Sequence, residues 1–228
     1  MLAAGSRRQL RVYDLDHRAV VAELDSLIPI RSFRLSADGH RLITIPTIRA
    51  LASPVLWDME NYRVIARLEG QIGQVFSARF VRRDREILTA GADGVARLWD
   101  GTTGRLRQTY FGSSIFVLDA VLDPEGSTVV TAGGDGVLRF WDAFSGRMLW
   151  ALRAHKSSIS GVHFQGPDIV TRALTGEVAR WTLSTVPSLQ GLVHKVAGVV
   201  DCFRLRFDED TGGLVEQPQS CAPNSSQN

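Results

Sequence analysis

Short apolar runs, each soon broken by Gly, Asp, Pro or clustered Arg, follow one another along most of the chain. Over residues 71–110 the order is QVFSARFV, a polar break at Arg82, Arg83 and Asp84, EILTAG, the turn Ala92-Asp93-Gly94, VARLWD, the turn Gly101-Thr102-Thr103-Gly104, and RLRQTYF. From Phe116 the order returns: FVLDAVLD, the turn Pro124-Glu125-Gly126, STVVTAG, the turn Gly134-Asp135-Gly136, VLRFWD, a turn around Ser145-Gly146, and RMLWALR. β-branched and aromatic residues in such runs, with turn formers between them, predict four short antiparallel strands per unit. A helix has no room in such a unit.

Five segments end alike: QLRVYD, SPVLWD, VARLWD, VLRFWD and EVARWT. Their aromatic residues, Tyr13, Trp57, Trp99, Trp141 and Trp181, lie 44, 42, 42 and 40 residues apart. This period with a Trp-Asp ending resembles the WD-repeat family of the WD40 type, which forms β-propellers, and the resemblance covers about residues 1–183. In that family a Ser or Thr on the second strand, an Asp in the tight turn, a Trp on the third strand and a His ahead of the first strand form a hydrogen-bonded set. The resemblance assigns Thr89, Asp93 and Trp99 to one blade and Thr131, Asp135 and Trp141 to the next. It assigns Thr47 and Trp57 to an earlier blade, with Leu51 at the Asp place, and Thr171 and Trp181 to the last, with Thr175 at the Asp place. Only His155, ahead of SSISGVHF, falls at the His place, so no blade has all four members. The set exists because a buried indole N–H and a turn carboxylate must find partners. Blades lacking the Asp or His are expected to be looser or to use water.

Aligned to ILTAGADGVARLWD, the start MLAAGSRRQLRVYD places Met1 and Leu2 on Ile87 and Leu88, inside a second strand, so that blade lacks its first strand. After VARWT comes STVPSLQG, with no clear fourth strand. Seven four-stranded blades would need about 28 strands, and the repeats supply about 18. The expected fold class is all-β: an incomplete β-propeller of four-stranded antiparallel blades with a small C-terminal helix and hairpin. The expected divisions are a partial blade over 1–24, blades over 25–69, 70–110 and 111–152, a partial blade over 153–184, and an extension over 185–228. Three accounts of the short array stay open: the C-terminal part of a longer protein or a truncated gene, a ring completed by another chain or copy, or ends that close into a five-bladed ring.

In PSLQGLVHKVAGVV, Leu189, Leu192, Val193, Val196, Val199 and Val200 recur at helical intervals and predict a short amphipathic helix, weakened by Gly191 and Gly198. CFRLRFDED alternates apolar and polar residues and LVEQ returns after Thr211-Gly212-Gly213, which predicts a hairpin. A two-residue loop of Thr211 and Gly212 would set Cys202 opposite Cys221, within reach of a disulfide. Pro218 and Pro223 could instead end the pairing early and leave both thiols free.

Composition sharpens the picture only in part. A hydrophobic content of 44% allows a real core, and no apolar run approaches the length of a membrane span. The net charge of +2 argues against nucleic acid as the partner. Arg outnumbers Lys 24 to 2, which either a composition bias or an arginine-driven binding face explains. Arg82, Arg83 and Arg85 form a loop cluster that could contact an acidic partner or simply be solvated. With no signal-peptide pattern at the start, the cytoplasm is the expected compartment.

Sites of chemistry are few. G-x-S-x-G, GxxxxGK[ST] and H-E-x-x-H are all missing. Gly133-Gly134-Asp135-Gly136 joins strand to strand, which suits a turn needing positive φ and not a phosphate loop. His17, His40, His163 and His194 are expected at the surface, and Asp93, Asp123, Glu125 and Asp135 each in its own turn. Tyr110 and Trp150 are expected to pack between blades, with Phe111 and Phe116 weighed beside them as exposed anchors. No catalytic residue, cofactor or metal is expected. The expected function is a non-catalytic protein–protein interaction scaffold with a protein or peptide partner and no membrane partner. Further blades from a longer chain or another copy could complete it. The alternative is a C-terminal regulatory or sensing part of a larger protein such as a kinase or NTPase. The partner-facing turns would be Ala92–Gly94, Gly134–Gly136 and Leu174–Glu177, with the links at Gln71–Gly73, Gly112–Ser114 and His155–Ser157.

Overall fold

The computed structural model describes residues 2–6, 9–14, 17–25, 29–47, 53–112, 115–183, 192–196, 203–208 and 213–218. Strands β1 (Leu2–Ser6), β2 (Gln9–Asp14) and β3 (Ala19–Asp25) form a three-stranded sheet. Three four-stranded sheets follow. The first holds β4 (Ile30–Leu35), β5 (Arg41–Pro46), β6 (Val55–Asp58) and β7 (Arg63–Arg67). The second holds β8 (Val75–Val81), β9 (Glu86–Gly91), β10 (Val95–Asp100) and β11 (Leu106–Phe111). The third holds β12 (Val117–Leu122), β13 (Thr128–Gly133), β14 (Val137–Asp142) and β15 (Met148–Arg153). The last sheet joins β16 (Ile159–Gln165), β17 (Asp168–Ala173), β18 (Val178–Leu183), β19 (Leu192–Val196), β20 (Phe203–Asp208) and β21 (Gly213–Pro218). All pairings between strands are antiparallel and sequential.

The second and third strands of the three four-stranded sheets are mostly covered on both faces, which is why EILTAG and VARLWD are nearly continuous apolar runs. Fourth strands such as β11 and β15 are mostly exposed. Four buried clusters lie between consecutive sheets. Leu10, Val12 and Leu24 pack with Leu42 and Trp57. Ile43 and Leu56 pack with Ile87 and Trp99, Leu88 and Tyr110 with Val129 and Trp141, and Phe140 with Ile169 and Trp181. Tyr110 is fully buried and its hydroxyl donates to the Ala143 carbonyl of the next sheet at 2.7 Å. Trp150 stacks on Phe140 at 3.5 Å between ring centres, within its own sheet.

The small C-terminal helix is overturned, and with it the expected fold class. The chain is all-β with blade-like sheets, none of them closed or curled, and no helix occurs among the described residues. Leu192–Val196 is the strand β19, paired with β18 from Ala179↔Val196 to Leu183↔Leu192. An open strand edge offers unpaired N–H and C=O groups, and pairing with it outweighs a helical period interrupted by glycines. The hairpin register also differs from a two-residue loop: Asp208 faces Gly213, so residues 209–212 form the connection. Cys202 and Cys221 lie outside the described residues.

The Asp that ends β10 and the one that ends β14 each cap the turn that follows. Asp100 Oδ1 accepts the Thr102 and Thr103 N–H groups at 3.0 and 2.7 Å. Asp142 Oδ1 does the same for Phe144 and Ser145 at 3.2 and 2.7 Å. The Arg107 guanidinium, with the Thr103 N–H and hydroxyl, holds the Asp100 carboxyl well below the usual range. Such a group stabilises the fold above its unfolded pKa of about 4 and loses that contribution as pH falls further. We expect the melting temperature to fall below about pH 4, and Asp100→Asn to flatten part of that fall while lowering stability at neutral pH. An Asp100→Asn profile parallel to the wild type would remove Asp100 as a cause.

Candidate interaction surface

Four of the five sheets are each pinned by a buried Trp. Trp57 donates to Thr44 Oγ1 at 2.9 Å, Trp99 to Thr89 at 2.9 Å, Trp141 to Thr131 at 3.0 Å and Trp181 to Thr171 at 3.0 Å. The partner of Trp57 is therefore Thr44, in place of the expected Thr47. Thr44, Thr89, Thr131 and Thr171 each take the fourth position of their strand, but the separation from Trp is 13 residues in the first pair and 10 in the others. The longer β5–β6 connection carries Thr47 past the end of β5, where its hydroxyl donates to the Pro29 carbonyl at 2.5 Å.

The remaining members vary. In the last sheet His155 is buried, with Nε2 2.8 Å from Thr171 Oγ1. The carboxylate near its other nitrogen is Glu177, with Oε2 3.1 Å from Nδ1 but outside hydrogen-bond alignment. Thr175 lies instead 3.4 Å from the Ser157 hydroxyl. Ahead of β8, Gln71 Nε2 donates to Thr89 Oγ1 at 2.8 Å. Gln71 precedes Val75 by four residues, as His155 precedes Ile159, so spacing alone would have found it. Ahead of β12 the same place falls on Ser113, outside the described residues; at Gly112 beside it a Cβ would come within 2.8 Å of the Trp141 ring. Asp93 and Asp135 hold their turns through the Val95 and Val137 N–H groups, both at 3.2 Å. Each pairs with an arginine four residues on: Arg97 at 2.7 Å and Arg139 at 2.6 Å. Burial pushes the Asp135 carboxyl up, but Arg139 and the Val137 N–H outweigh it and hold it below the usual range. These residues build the sheets.

What they position is an edge. The turns at Ala92–Gly94, Gly134–Gly136 and Leu174–Glu177 meet the links ahead of β8, β12 and β16 in one continuous row. Ile72 N–H donates to Asp93 Oδ2 at 3.2 Å, and Gly112 N–H to the Gly94 carbonyl at 3.1 Å. Gly134 N–H donates to Phe116 O at 2.9 Å, Ser158 Oγ to Gly134 O at 2.7 Å, and Leu174 N–H to Ser158 O at 2.9 Å. Gly136, at φ +78°, is where the row is tightest: a Cβ there would sit 2.2 Å from the His155 carbonyl. Along this row Ile72, Ile115 and Leu174 stand 78%, 50% and 66% exposed. Phe76 and Phe116, which follow Ile72 and Ile115 in the chain, meet edge to face at 5.9 Å. Phe111, at the end of β11, is also exposed. Ser113 and Ser114 lie outside the described residues.

The other ends of the strands carry arginines and carboxylates beside the exposed Phe144. Arg82, Arg83 and Asp84 all have left-handed φ, 50°, 54° and 65°. Arg82 pairs with Glu86 at 2.7 Å, donates to the Gly126 carbonyl and covers the Phe144 ring at 4.8 Å. Arg83 and Arg85 are exposed. His40 and His163 are exposed, and His17 Nδ1 lies 2.7 Å from Asp14 Oδ2. Among the described residues, no three His, Cys, Asp or Glu side chains come together to hold a metal, and no helix is long and apolar enough to cross a membrane.

The family model for the WD domain, G-beta repeat (WD40), matches residues 62–100 and 104–142, a partial match consistent with membership of that family. Each matched unit ends on a turn-capping Asp and takes the fourth strand of one sheet with the first three of the next. Comparison with curated proteins finds no match.

Proposed function

We propose that this chain is a non-catalytic protein-interaction module whose partner docks on the turn-and-link edge that carries Ile72, Ile115 and Leu174. The observation that carries this reading is the placement of three exposed aliphatic side chains on the links ahead of β8 and β12 and on the β17–β18 turn, tied together by hydrogen bonds. Large apolar side chains that recur on one rigid edge mark an interaction surface. The match to a repeat family of interaction modules supports the same reading. The framework beneath supplies rigidity: each turn is anchored by a buried Trp–Thr pair or a carboxylate cap, so little freedom is lost on docking.

The test is a matched set of pull-downs. Ile72→Asp with Leu174→Asp is expected to abolish retention of the partner that the unaltered chain captures, with little change in melting temperature. Arg83→Glu on the opposite ends of the strands is expected to leave retention intact. Retention lost only in Arg83→Glu would move the partner to the other face and overturn the proposal.

A further inference from the structure

The first strands of four sheets, β4, β8, β12 and β16, lie side by side and enclose a second surface, separate from the turn-and-link edge. Between them is a pocket of about 350 Å³, whose polar wall is Ser32, Arg34, Ser77, Arg79, Asp119 and Ser160. Its charge is unbalanced. Asp119 is the one carboxylate among the pocket's lining residues. Its Oδ1 accepts Ser77 Oγ at 2.7 Å, the Ala120 N–H at 3.0 Å and the Arg79 guanidinium; Oδ2 accepts the Val162 N–H at 3.1 Å. That carboxylate is fully engaged. Arg34 has no carboxylate partner among the described residues and donates only to its neighbour's Phe33 carbonyl at 2.9 Å. Arg31, further along β4, is likewise held by carbonyls alone, Val75 O at 3.0 Å and Phe76 O at 2.7 Å. Two guanidiniums, Arg34 and Arg79, thus line the pocket beside one carboxylate.

We propose that this pocket binds an oxyanion, the phosphate or carboxylate group of a small ligand or of a partner's side chain. The Arg34 fork, the N–H groups of Arg79 not turned to Asp119, and the Ser32 hydroxyl are its donors. Ser77 and Ser160 already donate, to Asp119 and to the Arg172 carbonyl at 3.0 Å, and so hold the wall and not the ligand. Guanidinium groups present paired N–H donors whose spacing matches two oxygens of phosphate or carboxylate. A position between strands with fixed backbones keeps those donors in place before the ligand arrives.

The experiment titrates the full chain with inorganic phosphate and, separately, with succinate, at constant ionic strength set by chloride, followed by calorimetry. Saturable binding of one anion per chain is expected, with Arg34→Gln weakening it about tenfold or more and Arg34→Lys restoring part of the loss. Arg34 is exposed, so an unchanged melting temperature separates lost binding from lost folding. Binding of phosphate alone assigns a phosphate-bearing ligand, binding of succinate alone a carboxylate-bearing one, and either supports the site. Saturation by neither anion overturns the proposal. So does a response equal in Arg34→Gln and in the control Arg83→Gln with Arg85→Gln, because the pocket would then have no part in it.

Discussion

Asp119→Ala is expected to destabilise the chain by about 3 kcal/mol. The residue sits on β12 and its carboxylate reaches both neighbours: Ser77 and Arg79 on β8, and the buried Val162 N–H on β16. Alanine would leave that N–H without its acceptor and Arg79 without its counter-charge. Removing one member of a satisfied, largely buried pair costs more than the net value of the pair, because the survivor stays desolvated. Urea denaturation should show the midpoint falling with little change in slope. Asp119→Asn, which keeps the shape and one acceptor oxygen, should lose less. A loss under about 1 kcal/mol for alanine, the level of an ordinary substitution, would show that the three first strands are held without it.

Trp99→Ala should cost about 4 kcal/mol, the range for removing a large buried aromatic. Trp99 is 2% exposed and fills the cluster with Ile43, Ile45, Leu56 and Leu68 of the preceding sheet. Its indole N–H also satisfies Thr89 Oγ1. Trp99→Phe separates the two contributions: it keeps most of the packing and loses the hydrogen bond, and Thr89 keeps the bond from Gln71 at 2.8 Å. We expect the phenylalanine variant to lose well under half of what alanine loses. Equal losses in thermal or urea unfolding would place the role of Trp99 in its hydrogen bond and not in its volume.

Much of this architecture was legible because strands here announce themselves locally. EILTAG, VARLWD and their counterparts are apolar, bounded by Gly-Asp turns and repeated at a fixed interval, so strand identity and order follow from the chain itself. What eluded the sequence is whatever depends on a neighbour across space. LVHKV has a helical period, but the edge of β18 makes it a strand. A constant interval pointed to Thr47, whereas a longer connection moves the partner of Trp57 to Thr44. Glu177 comes near His155 from a position where the repeat carries no acid, because its side chain is longer than the Asp it stands in for. Nothing in FVLDAVLD discloses that Asp119 joins three sheets. The edge carrying Ile72, Ile115 and Leu174 was foreseeable in its turns but not in its exposed apolar side chains.

The four buried clusters each join one sheet to the next. Among the described residues the β1–β3 sheet therefore packs on a single cluster, while the β8–β11 and β12–β15 sheets are each flanked by two. Free energy in such an array is close to a sum of nearest-neighbour couplings. Opening the β1–β3 sheet forfeits one coupling, whereas opening a middle sheet forfeits two and severs the array. Partial unfolding should thus proceed stepwise, as a row of foldons peeled from the outside inward. The turns beside β8–β15, which carry Ile72 and Ile115, lie at the most protected part of that row.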